Sequence, residues 1–124
     1  MNSVLTDKQK LLFENLKNIK DYWTNTAVEQ LSPNADLVAS NCEEEYRLLA
    51  NKISSDKELL AFRKIQNELI EGVIHSILVM VDGGDDLADK FLLDLIDRET
   101  KESLQDDIAL HEEFIGYVLD TEGE

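Results

Sequence analysis

Leu12, Leu16, Ile19 and Trp23 recur at intervals of four, three and four residues, the spacing that lines one face of an α-helix. Thr6, with Gln9 three residues on, makes a capping box at the start of this segment. Val28 and Leu31 extend the stripe past the weak helix formers Thr24-Asn25-Thr26. Pro33 closes it, because the residue before a proline is pushed out of helical geometry. Val38, Cys42, Tyr46, Leu49 and Ile53 then predict a second helix from Asn34 or Asp36 to Ile53, with Ser40 and Glu43 offering a competing start. A third helix opens on the box Ser55 and Glu58 and carries Leu59, Phe62, Ile65 or Gln66, Leu69, Val73, Ile77 and Met80 along one stripe.

From Leu69 to Val81 that third segment is apolar nearly all round, interrupted by Glu71, His75 and Ser76. A helix without a polar face is buried centrally or sits in a self-association interface. Gly72 costs about 1 kcal/mol relative to alanine inside a helix, so close packing of another element is expected there. Asp82-Gly83-Gly84-Asp85-Asp86 ends the helix, a glycine taking the left-handed cap and Asp85 or Asp86 capping a short turn through Leu87-Ala88-Asp89. Lys90 to Asp97 alternates loosely, and Asp97-Arg98-Glu99-Thr100-Lys101 has the polar composition of a turn, with Glu102-Ser103-Leu104 returning. A helix through Leu92, Leu95 and Ile96 is the alternative. Asp106 or Asp107 caps a last helix with Leu110, Phe114, Tyr117 and Val118 on one face, and Thr121 to Glu124 form a tail. The expected fold is mainly α (α+β): about four helices packed on a central apolar helix, with a small β-hairpin near residues 90–105, as one domain over residues 1–124.

Composition narrows the class. At 43% apolar and 31% charged residues, the chain is too apolar for intrinsic disorder. No apolar run reaches the roughly 18–20 residues that span a bilayer, so no membrane association is expected. Met1 to Asp7 lacks the basic-then-apolar pattern of an export signal, and the single cysteine, Cys42, excludes an intrachain disulfide. Both point to the cytoplasm. Charge changes the picture more. The net charge is −15, and residues 63–124 hold 17 acids against 5 bases where residues 1–62 hold 10 against 7. Such a field repels nucleic-acid backbones and attracts basic proteins and cations.

Catalytic signals are weak. Cys42 falls on an apolar stripe and precedes three glutamates, which predicts a buried structural thiol and no activated nucleophile. Gly83-Gly84 stands alone without a phosphate-loop or dinucleotide pattern. His75 is expected as a core histidine satisfied by a carbonyl or carboxylate. His111 is expected to be partly exposed and held by a neighbouring carboxylate, meeting His75 if the last helix packs on the third. Trp23 and Tyr22 are adjacent, so one helix face buries only one of them.

No catalytic residue, metal ligand or cofactor is assigned from these patterns. The function expected is a small acidic protein-binding module, of inhibitor or immunity type, docking a basic partner. Its contact residues are expected to be Asp82, Asp85, Asp86, Asp89, Asp97, Glu99, Glu112 and Glu113. One alternative is a divalent-metal protein or metal-dependent enzyme using the Asp82–Asp89 loop with His75 and His111. Another is a homo-oligomeric structural domain, a homodimer through the Leu69–Val81 helix or the hairpin edge.

Overall fold

A computed structural model of the chain describes residues 5–122. Its elements are α1 (Asp7–Glu29), α2 (Glu43–Ala50), α3 (Asp56–Val81), a short 3-10 turn at Asp86–Asp89, and α4 (Leu110–Glu122). The chain divides into two compact units, one of residues up to Asn18 with those from Gly72 onward, the other of Ile19–Glu71. The coarse expectation of a mainly helical protein therefore holds.

Both capping boxes form. Thr6 Oγ1 accepts from the Gln9 N–H at 3.1 Å, and Gln9 Oε1 accepts from the Thr6 N–H at 2.9 Å. Ser55 and Glu58 make the same reciprocal pair at 3.1 and 3.0 Å. The end of α3 is closed by the predicted glycines. Gly83 sits at φ 78°, its N–H donating to Met80 O, while the Gly84 N–H reaches back to Val79 O. These two bonds satisfy carbonyls that the last turn would leave without partners. The Asp85 side chain then caps the 3-10 turn by accepting from the Leu87 N–H at 3.0 Å, as expected.

In the first unit the core is Phe13, Ile74, Leu78, Leu110, Phe114 and Val118, with Phe13 and Phe114 ring centroids 5.9 Å apart. The α4 stripe read from sequence is the one buried. In the second unit Leu31 and Leu37 are buried, and the ammonium of fully buried Lys20 donates to Asn67 Oδ1 at 2.8 Å.

Several local expectations are corrected. The buried face of α1 runs through Gln9, Phe13, Lys20 and Thr24, while Ile19 and Trp23 are exposed. Gln9 belongs to that face because its amide bonds to Leu104 O at 3.0 Å as well as closing the capping box. Tyr22 and Trp23 are both exposed and stack edge to face on each other. The second helix is short. Ser32, Asp36 and Ser40 each accept a bond from the N–H two residues on, a local alternative that competes with helix through residues 32–42. Cys42 is consequently an exposed thiol at the start of α2, not a buried one.

α3 is not enclosed. Ile74 and Leu78 are buried, while Leu69, Val73 and Ile77 are exposed, and a Cβ at Gly72 would meet nothing within 4 Å. The close approach expected at Gly72 is absent among the described residues. The hairpin expected near residues 90–105 shrinks to a single antiparallel bridge, Ile96 with Ser103, and no strand forms among the described residues. Side-chain bonds take over there. Gln105 Oε1 accepts the Leu95 N–H, and the Asp97 carboxylate accepts the N–H groups of Glu99 and Thr100. Asp107 lies at φ 62°, three residues before α4, and does not cap it. Thr121 and Glu122 belong to α4, and the rest of the expected tail lies outside the described residues.

Replacing Phe114 with alanine should cost about 3–5 kcal/mol in urea unfolding, since a fully buried ring leaves a cavity. Leu92→Ala, at a side chain 76% exposed, should stay within about 0.5 kcal/mol. Equal losses would show that the core lies elsewhere.

Candidate functional site

All eight acidic residues singled out from sequence lie between Asp82 and Glu113, within the first unit. Asp82 follows directly on α3, and its side chain is only 7% exposed. The carboxylate faces the first turn of α4. Oδ2 accepts the His111 N–H at 2.9 Å and the His111 ring Nδ1 at 2.6 Å, and the Leu110 N–H also bonds to this group. Gln105 Nε2 donates to Asp82 Oδ1 at 3.1 Å and to Val81 O at 3.0 Å. Burial alone pushes a carboxyl up, but the hydrogen bonds from His111, Leu110 and Gln105 outweigh it and hold Asp82 below the usual carboxylate value. A negative charge at a helix N-terminus is also favoured by the helix dipole.

The ionised carboxylate only accepts, so Nδ1 of His111 carries a hydrogen and Nε2 is left facing Glu112 Oε1 at 3.9 Å. His75, from α3, packs edge to face against His111 with ring centroids 5.5 Å apart. The expected meeting of the two histidines therefore occurs, through α4 against α3. The expected partner for His75 does not appear: its Nδ1 is buried without a hydrogen bond.

The other acids separate into two groups. Asp85 is committed to capping the 3-10 turn. Asp97 pairs with Lys8 at 2.8 Å, Lys8 also approaches Glu102 at 3.7 Å, and the hydrogen bonds from Lys8, Thr100 and Glu99 depress the Asp97 carboxyl to about 2. Asp86, Asp89 and Glu99 are exposed, and no ion pair holds any of them among the described residues. Glu112 is exposed beyond its approach to His111, and Glu113 is half-buried on α4. Asp82 and Asp97, both among the expected contact residues, are thus engaged by groups of the protein itself.

No protein-family model matches the chain, and no curated protein or solved structure matches it.

Among the described residues no group of three or more His, Cys, Asp or Glu side chains is placed to hold a metal ion. The carboxylates of the Asp82–Asp89 loop bond to backbone N–H groups or point to solvent, so they do not converge. No helix among the described residues is long and apolar enough to cross a membrane. Two residues central to this region escaped sequence reading. Gln105 sits in a polar stretch that reads as loop, and Lys8 reads as an ordinary exposed lysine; only the fold brings each to its partners.

Asp82→Asn should destabilise the protein by about 1.5–3 kcal/mol at pH 7, the range for hydrogen bonds to a charged group. The folded carboxyl titrates below the unfolded value of about 3.9, so its contribution is complete above that value and is lost as pH falls through the folded one. Urea unfolding of both proteins from pH 5 to pH 2 should show the gap closing. A gap that persists unchanged at pH 2 would assign the effect to shape and not to charge.

Proposed function

We propose that this chain is an acidic protein-binding module of the cytoplasm that docks a basic protein, as an inhibitor of immunity type would. One observation carries the reading. Asp86, Asp89 and Glu99 present carboxylates to solvent outside any ion pair among the described residues, in a unit whose residues hold 17 acids against 6 bases. Within it Lys8 is drawn into the Asp97 and Glu102 cluster. Charges left unneutralised speed encounter with a positive surface and penalise negatively charged competitors. The docking set is therefore narrowed to Asp86, Asp89, Glu99 and Glu112, with Asp85 and Glu113 at its margin. Exposure of the single thiol, Cys42, is compatible with a reducing compartment.

The test is native mass spectrometry of the protein enriched from lysate of its own source at low salt and again at about 0.5 M salt. A stoichiometric basic protein should accompany the wild type and weaken in salt. It should be lost from the variant D86N/D89N/E99Q/E112Q and retained by E43Q/E44Q/E45Q, which removes as many as three charges elsewhere. Equal behaviour of the two variants, or no basic partner, removes the reading.

Self-association is the second reading, favoured by the exposure of Leu69, Val73 and Ile77 at successive four-residue steps of α3. Gly72 borders this stripe with open space at its Cβ position, so a side chain can be added there without a clash at its Cβ. If α3 pairs with a second copy, light scattering should show Gly72→Leu lowering the mass from dimer to monomer. A mass equal to wild type eliminates that pairing.

A further inference from the structure

The turn that carries the chain from α1 to α2 forms two adjoining cavities, both lined by Ser32, Pro33 and Ala50. One, of about 360 Å³, is walled by the aliphatic side chains of Val28, Leu31, Ile53 and Leu59, with Glu29 also on its lining. The other, of about 300 Å³, is lined by Gln30, Tyr46, Arg47 and Asn51. Everything here lies inside the Ile19–Glu71 unit, remote in sequence from the acidic residues of the proposed docking surface.

The polar cavity places a positive charge at its rim in a protein with a net charge of −15. Arg47 and Asn51 are exposed and Gln30 and Tyr46 half-buried, and among the described residues none of these side chains is engaged in a hydrogen bond or ion pair within the protein. Each carries N–H or O–H donors, and Arg47 adds a permanent positive charge in a planar fork that matches a carboxylate. Three other polar side chains of the same turn, Ser32, Asp36 and Ser40, accept backbone N–H groups. Uncommitted donors around one cation, opening beside an aliphatic wall, are the two halves of a site for an amphipathic anion. The size matches the lower end of small-molecule pockets, about 300–1,000 Å³.

We infer that the double cavity binds a small monocarboxylate with an aliphatic or aromatic body. The carboxylate bonds to Arg47, with Tyr46 and the two amides completing its shell, and the body lies against Val28, Ile53 and Leu59. A single negative charge is favoured over a phosphate dianion because the surrounding acidic protein repels the dianion more strongly. Glu29 on the apolar lining supplies the obvious competitor, an amphipathic cation, and the test must separate the two.

Octanoate, octylamine and acetate are titrated separately into the full chain at constant ionic strength, followed by NMR of the Ala50 and Leu59 methyl groups. Octanoate should bind saturably with a Kd at or below about 1 mM, and acetate, lacking the body, at least about tenfold more weakly. Arg47→Gln, at an exposed position, should weaken octanoate by about tenfold or more without changing the circular dichroism spectrum. The inference is overturned by absence of saturation up to about 5 mM octanoate, by octylamine binding as well as octanoate, or by R47Q binding octanoate like wild type.

Discussion

The carboxylate of Asp82 ends one helix and begins another. It lies immediately after α3 and accepts hydrogen bonds from the first-turn N–H groups of α4, which have no partner within their own helix. Desolvating a charge is unfavourable, and the balance is restored only because the His111 main chain and ring, Leu110 and Gln105 all donate to it. Gln105 spreads this constraint. Its amide joins Val81 and Asp82 to the Leu95 N–H, so the long connection between α3 and α4 is tied at its middle without a strand. The cap also draws His111 onto His75 and sets α4 where Phe114 meets Phe13.

A second tie comes from the start of α1. Gln9 holds Leu104 O and Lys8 holds Asp97, so the capping box that begins the helix is flanked by two contacts to the bridge between Ile96 and Ser103. The acidic character of this unit thus has two physical origins. Some carboxylates are structural acceptors, with Asp82 and Asp97 depressed by the donors around them. Others, such as Asp86 and Asp89, are in no ion pair among the described residues and add to the negative field at the surface. Net charge cannot separate these groups, because a buried acceptor and a solvated carboxylate contribute equally to a sum over the sequence.

The features legible in the chain are those governed by neighbours within a few residues. Thr6 with Gln9 and Ser55 with Glu58 close reciprocal bonds across three positions, and Gly83-Gly84 supply the left-handed turn that ends α3. The α4 stripe was readable because Leu110, Phe114 and Val118 stand on a single face with few apolar competitors. In α3 two apolar stripes run side by side and periodicity cannot rank them, while in α1 the covered face is largely polar, so apolar periodicity points to a different face. Gln9, Lys20 and Thr24 were buried, and Ile19, Trp23, Val73 and Ile77 exposed, by the particular neighbours each face met.

By itself the sequence therefore determined the helical class, the starts of α1 and α3, the glycine stop and the strong negative charge. These depend on backbone geometry and composition, which act locally or by summation. Tertiary structure alone decided which stripe of each long helix was covered and which carboxylates were consumed. It alone also placed Arg47, Tyr46 and their neighbours around one polar cavity. Those outcomes rest on contacts between residues far apart in the chain, such as Asp82 with His111 and Gln9 with Leu104, and no periodicity records which distant group arrives.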